Sequence, residues 1–383
     1  MNLSETIKGV IGLDPTEHAD VDMKAVLDAL QSLNPKPIED CTPAQARQQP
    51  TPADAVKRLV EQRGRSDEVP AAVRSVRSQD ITITGADGTN PARVYTPAGD
   101  GPFPVILYFH GGGWVIADLD VYDASPRAIA AQADAIVVSA HYRRAPEFKF
   151  PAAHEDAFAA WRWVLDNAAA LGGDPARIAV MGESAGANLA INVAIHARDY
   201  GLQAPVHQAL IYPVASNNTF SLSYEENRNA KPLNKAMMLW FIEQIINEKS
   251  DLKSPLIDVV SAELSNLPPT TVITAGIDPL RSDGEKLVTE LRKVGVAVEH
   301  RNYDGATHEF FGMADAVAAA RDAQAFVAGT QRRCFDSNTM LFWPSGTNSP
   351  ILREPAQYRR ASQGDDRTPP RTPDSYPSPA RIR

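Results

Sequence analysis

The sequence predicts an α/β fold, a mostly parallel sheet flanked by helices and interrupted by a helical insertion. Three observations carry that prediction. Short apolar or β-branched runs recur at residues 105–109, 135–140, 178–181, 208–212, 270–274 and 297–301. Helical patterns lie between most of them, at 124–133, 156–171, 185–198 and 283–294. Strand and helix in alternation build parallel units whose crossover helices cover both faces of the sheet. The third observation is Gly182-Glu183-Ser184-Ala185-Gly186, with the apolar run Ile178-Ala179-Val180-Met181 before it and the helix-forming run Ala187-Asn188-Leu189-Ala190-Ile191 after it. A chain that passes from strand to helix there turns sharply, with Ser184 at the tip and glycines where backbones must pass closely.

Taken in order, residues 1–78 lack strand patterns and read as a helical N-terminal segment. Met23, Val26, Leu27 and Leu30 recur at helical spacing over 20–33, and 52–63 does so more weakly. From residue 79 the texture changes. Residues 80–84 and 92–95 read as paired strands around the turn at 85–88, opening the first part of the α/β core, 79–212. Residues 213–265 break the rhythm with a polar stretch and then an amphipathic run at 235–246, a helical insertion rather than sheet. The core resumes over 266–332 and closes on a helix at 314–327. From Arg332 onward the chain carries eight prolines, nine arginines and no lysine, with no sustained period. Residues 333–383 therefore read as disordered or as a non-native extension such as an out-of-frame translation, the alternative being an Arg-rich anion-binding tail.

The 383 residues are ample for a large core, and 43% hydrophobic with 22% charged residues is ordinary for a globular chain. A net charge of -9 argues against a nucleic-acid partner. The two cysteines, Cys41 and Cys334, lie far apart and suggest neither a disulfide framework nor a metal-type spacing. Residues 7–13 are too short and glycine-broken for a signal peptide, and no apolar run approaches the roughly 18 residues of a membrane span. A cytoplasmic protein is the expectation; a homodimer is compatible with it.

The chemistry begins at Ser184, the candidate nucleophile. A second constellation, His110-Gly111-Gly112-Gly113-Trp114, follows the strand at 105–109. Three consecutive glycines cost conformational entropy and make sense where amides must face a ligand, such as the oxyanion of a tetrahedral intermediate. A flexible loop or a phosphate cradle is the alternative, but neither G-x-G-x-x-G nor a G-K-[ST] ending follows. Of eight histidines, His18, His141, His154, His196, His207 and His300 read as surface or packing residues, and His110 as shaping the glycine loop. His308 lies in a loop after the last strand pattern, at the sheet end where α/β folds place ligands. The third member is expected between serine and histidine in the chain. Asp278 follows the strand at 270–274 and precedes Pro279; Asp283 and Asp258 are its competitors, and a plain turn or N-cap aspartate is the bland reading.

Together these motifs resemble the hormone-sensitive-lipase-like (bacterial family IV) esterases of the α/β-hydrolase superfamily. The matches are the glycine loop at 110–114, Tyr142-Arg143-Arg144-Ala145-Pro146-Glu147, Phe150-Pro151-Ala152-Ala153, the elbow at 182–186, Asp278-Pro279-Leu280-Arg281 and His308-Glu309-Phe310. The resemblance spans about residues 75–330, with 1–78 and 213–265 matching the family's cap. It implies Ser184 as nucleophile, His308 as base, Asp278 as orienting acid, and the amides of Gly112, Gly113 and Ala185 as oxyanion hole. Three positions depart from the family. Glu183 replaces the commoner Asp, Glu309 the commoner Gly, and Arg144 a commoner apolar residue. Glu183 is expected to brace neighbouring loops, and Glu309 to raise the pKa of His308. The implied activity is hydrolysis of short- to medium-chain acyl esters through an acyl-enzyme, with no metal or cofactor needed. Trp114, Phe220, Trp240 and Phe241 are the candidates to line an apolar pocket, core or cap packing being the alternative. An amidase or deacetylase would use the same triad. A non-catalytic ligand receptor on the same fold predicts loss of a triad member, and a dehalogenase or epoxide hydrolase predicts Asp at the elbow.

Overall fold

The computed structural model describes residues 14–64 and 70–336. Its strands are Arg77–Thr84 (β1), Thr89–Thr96 (β2), Phe103–Phe109 (β3), Ile136–Ala140 (β4), Gly173–Glu183 (β5), Gln208–Ile211 (β6), Thr270–Ile277 (β7) and Val298–Thr307 (β8). They form one sheet in the order β1-β2-β4-β3-β5-β6-β7-β8. The hairpin β1–β2 and the pair β2–β4 are antiparallel; every pair from β4 to β8 is parallel. The parallel strands β3 to β7 are buried along their length apart from the start of β5, which is why they read as continuous apolar runs rather than alternating ones.

Eight longer helices accompany the sheet: Val21–Ser32 (α1), Pro52–Gln62 (α2), Ala124–Ala133 (α3), Ala152–Asn167 (α4), Ala185–Asp199 (α5), Lys235–Ile245 (α6), Arg281–Lys293 (α7) and Ala318–Asp336 (α8). One core cluster joins Met23 and Val26 of α1, Leu59 of α2, Ile129 of α3 and Val327 of α8 to Ile106, Met181 and Ile273 of the sheet. Helices α4 and α5 pack together, and α7 packs on β7. None of the described helices is long and apolar enough to cross a membrane. Cys41 and Cys334 are both free thiols.

Several boundaries differ from the sequence expectation: β1 starts at Arg77, inside the segment read as strand-free, β5 starts five residues early at Gly173, and α4 is displaced by four residues to Ala152–Asn167. Two further differences have a clear physical reason. Strand β8 continues six residues past residue 301, although Asn302, Asp304 and Gly305 carry turn chemistry, because pairing with β7 continues through Asn302 and Tyr303 and resumes after an irregularity at Thr307. Helix α8 starts four residues later than expected and runs to Asp336. Val327, Gln331 and Phe335 continue its buried stripe at helical spacing past the arginines that had marked the start of the tail. The rest of that tail and the signal-peptide reading at 7–13 lie outside the described residues.

Residues 213–265 hold α6, the short helix Leu222–Glu226 and the 3₁₀ turns Lys249–Lys253 and Val259–Ser261. The N-terminal segment is tied to them. The Trp240 indole N–H donates to the Cys41 carbonyl at 3.1 Å, Asn234 donates to Glu39 at 3.0 Å, and Lys231 pairs with Asp14 at 2.8 Å. Arg47 donates to the Val115 and Ala145 carbonyls, both at 2.8 Å.

Candidate active site

Strand β5 ends at Glu183 and α5 begins at Ala185, so Ser184 is the whole of the connection. It adopts φ 55° and ψ −118°, outside the comfortable regions for a side-chain-bearing residue. Neighbouring contacts hold it there. The Ser184 amide donates to the Ile211 carbonyl at 2.8 Å, and its own carbonyl accepts from Ala187 at 3.0 Å. The flanking glycines are steric requirements. A Cβ on Gly182 would stand 2.1 Å from the Gly186 carbonyl oxygen, and one on Gly186 would stand 2.1 Å from that of Phe109.

Asp278 follows β7 directly, and His308 follows β8 directly. Parallel strands bring their carboxyl ends to one edge, so three residues distant in the chain converge on it. His308 Nε2 lies 3.0 Å from Ser184 Oγ, and His308 Nδ1 lies 2.7 Å from Asp278 Oδ2. Asp278 Oδ1 accepts the Leu280 amide at 2.8 Å, so both carboxylate oxygens are engaged. Asp278 is fully buried, while Ser184 and His308 retain 5% and 3% exposure. The carboxylate beside Nδ1 fixes the proton there and turns the Nε2 lone pair toward the serine. Burial pulls the His308 pKa down, but Asp278, with smaller help from Glu309 and Glu183, outweighs it and holds the imidazole above its ordinary value.

The competing acids are engaged elsewhere. Asp283 sits in the first turn of α7 and accepts the Ala215 and Ser216 amides at 3.2 and 3.0 Å; burial pushes its pKa up to about 8. Asp258 accepts the Asn217 amide at 3.1 Å. Four of the set-aside histidines pack as expected: His154 bonds Asn188 and His207 bonds Thr271, His300 bonds Thr274, and His196 stacks on Phe158. His110 is fully buried, with Nδ1 2.8 Å from the Gly111 carbonyl and Nε2 2.9 Å from His141 Nδ1. Its burial, with His141 close by, keeps it neutral.

The glycine loop lies against the elbow. Gly112 and Gly113 have φ of 95° and 58°, and a Cβ on Gly113 would stand 2.4 Å from the Phe241 ring. The Gly112 carbonyl turns back to accept from Val115 and Ile116 at 3.0 and 2.9 Å. Among the described residues the amides of Gly112, Gly113 and Ala185 donate to no backbone carbonyl outside the regular elements. Glu183 is buried beneath the elbow, where it accepts from Tyr108 at 2.6 Å and from Tyr212. It thereby clamps β3 and the chain after β6 onto β5. Burial raises its pKa, and those hydrogen bonds oppose the rise.

Residues 106–312 match a protein family described as alpha/beta hydrolase fold. The chain is 40% identical over 261 residues to a carboxylesterase, NlhH, of Mycobacterium tuberculosis strain H37Rv, a match covering 66% of this chain and 82% of that protein. The chain belongs to the hormone-sensitive-lipase-like esterases of the α/β-hydrolase superfamily. An ethyl acetate hydrolase of Pseudomonas putida is 34% identical over 65% of this chain and 80% of its own length. Among solved structures, an esterase of Pyrobaculum calidifontis superposes with a TM-score of 0.70 at 36% identity, covering 77% of this chain and 94% of that one.

In this family member the elbow opens into an apolar cavity of about 30 Å³, room for roughly two water molecules. Trp114 and Phe241 line it beside Ser184 and His308. Phe220 and Trp240, expected beside them, do not. Phe220 is 80% exposed and lies under the Lys235 ammonium, 4.8 Å from the ring centroid. Trp240 is not among the lining residues; its indole N–H donates to the Cys41 carbonyl. Met237 and Ile245 line the cavity with Phe241 and were missed. Positions 237, 241 and 245 stand four apart on one helix face, but with apolar residues nearly all round 237–242 the sequence alone does not single that face out.

Proposed function

We propose that this esterase hydrolyses carboxylic esters with Ser184 as nucleophile, His308 as general base and acid, and Asp278 as orienting acid. The observation that carries the reading is the continuous chain Ser184 Oγ, His308 Nε2, His308 Nδ1, Asp278 Oδ2, at 3.0 and 2.7 Å. As Ser184 Oγ attacks the ester carbonyl carbon, His308 Nε2 takes its proton, and Asp278 stabilises the resulting imidazolium. The carbonyl π-electrons move onto oxygen, where the amides of Gly112, Gly113 and Ala185 receive the charge. Collapse expels the alcohol with the proton from His308 and leaves an acyl-serine. Water, deprotonated by the same histidine, attacks that acyl group, and Ser184 leaves reprotonated.

The small apolar cavity against Ser184 favours short acyl chains, a preference the name of the Pseudomonas putida relative also supports. Steady-state hydrolysis of 4-nitrophenyl acetate and butanoate by Ser184→Ala tests the reading. The expected result is a fall in kcat of at least about 10⁴-fold with unchanged far-UV circular dichroism. Turnover within tenfold of the parent would overturn it.

A further inference from the structure

A second, larger cavity of about 270 Å³ lies between the N-terminal segment and residues 231–237. It meets the Ser184 cavity at Leu233, Met237 and Glu309, which line both. The mechanism above uses none of its charged groups, and most have partners. Arg47 is gripped by Glu147 at 2.8 and 2.7 Å, and Lys231 by Asp14 at 2.8 Å. Glu39 accepts from Asn234 at 3.0 Å. Asp118 spends one oxygen on the amides of Asp120 and Val121, at 3.1 and 3.2 Å. Lys36 stands exposed on the rim.

Arg144 is different. It is half-buried in the cavity wall and donates through Nη1 to the Ala117 carbonyl, and no carboxylate among the described residues lies within ion-pair distance of it. Burial and the neighbouring Arg47 disfavour its charge, and Asp118 and Glu147, beyond ion-pair distance, favour it by less. A guanidinium nevertheless stays protonated, so this one is a partly desolvated cation that, among the described residues, touches no carboxylate. Among the described residues its Nε and Nη2 make no hydrogen bond, and Arg144 lines a neighbouring cleft with His141 and Glu147 as well as this cavity. That edge is a planar pair of donors, the shape that matches a carboxylate in bidentate fashion. Glu309 at the neck, with Asp118 and Glu39 in the wall, disfavours a dianion and disfavours any negative charge close to the scissile bond.

We infer that Arg144 binds a carboxylate carried by the substrate at the end remote from the scissile ester, so that carboxylate-bearing esters are a preferred substrate class. The inference rests on the Ser184 esterase reading. The test is kcat/KM for two series. One is monoethyl esters of dicarboxylic acids, from glutaric to suberic, against ethyl alkanoates of equal length. The other is O-acetyl ω-hydroxy acids against the corresponding alkyl acetates. In at least one series the parent favours the carboxylate member. Arg144→Leu lowers that carboxylate-to-neutral ratio roughly tenfold to a hundredfold, the worth of a charge-assisted hydrogen-bond pair, and Arg144→Lys retains part of it. A ratio unaltered by Arg144→Leu at every length in both series would overturn the inference. Turnover of the neutral esters by Ser184→Ala within tenfold of the parent would instead overturn the esterase reading beneath it.

Discussion

Glu309 stands one residue after His308, the proposed base, at φ 67°, in the left-handed region where a side chain normally costs about 1–2 kcal/mol. That backbone angle supplies the physical reason for the family's glycine at this position. The glutamate here adds a carboxylate that Tyr122 approaches only at 3.5 Å. Its pKa is raised, chiefly by burial, with the His308 charge opposing. Two consequences are expected of Glu309→Gly. Relief of the strained angle raises stability by about 1 kcal/mol in urea denaturation. The second concerns pH. His308 must be neutral to accept the serine proton, so kcat/KM falls as pH drops through its pKa. Asp278, Glu309 and Glu183 all hold that pKa up against burial. Removing Glu309 therefore moves the acid limb to lower pH. A limb that stays put, or moves up, would show that the base does not feel this charge. At this scale the proposed triad was legible because a serine, an aspartate and a histidine each stood at a strand end in chain order. That no described carboxylate touches Arg144 was not legible, since such an absence is visible only once every neighbour is placed.

Helix α6 decides the shape of the apolar cavity. Phe241 is 4% exposed, and its ring occupies the space a side chain at Gly113 would need, so helix and glycine loop are fitted to each other. Phe241→Ala should extend the cavity over the glycine loop and shift the preferred 4-nitrophenyl ester to an acyl chain at least two carbons longer. The truncation should cost about 3–5 kcal/mol of stability, as for other buried phenylalanines. An unchanged order across an acetate-to-octanoate panel would show that the acyl chain does not enter here. The helix itself was readable from its periodicity, but its facing was not. Apolar residues run nearly all round 237–242, so the sequence could not say whether Trp240 or Met237 met the substrate side; contact with Cys41 settled it. Element ends failed for a related reason. The strand passes through the turn-like residues 302–305 because β7 pairs with Asn302 and Tyr303 and again with Thr307, a tertiary effect that local chemistry cannot announce.

For the whole molecule, the sheet gathers Ser184, Asp278 and His308 at one edge, and the segment inserted between β6 and β7 lines the cavity beside Ser184 and His308. Everything named in the site falls within residues 14–309, yet the core reaches further, because Phe335 is 5% exposed and belongs to the cluster that includes Met181 and Val327. Where the chain can be shortened therefore depends on α8 rather than on the change of composition at Arg332. A chain ending at Asp336 should unfold at the parent's urea midpoint and keep kcat/KM within about twofold, since core and site are intact. A chain ending at Arg332 loses the buried Phe335 and should be destabilised by roughly 3 kcal/mol, with activity surviving at low temperature. The Arg333 pair with Glu299, lost in the same cut, is solvent-exposed and adds little. Equal stability of the two shortened chains would mean that the last turn of α8 carries no core weight. Loss of activity in the longer one would give residues 337–383 a part in folding or catalysis that neither the triad nor the core requires.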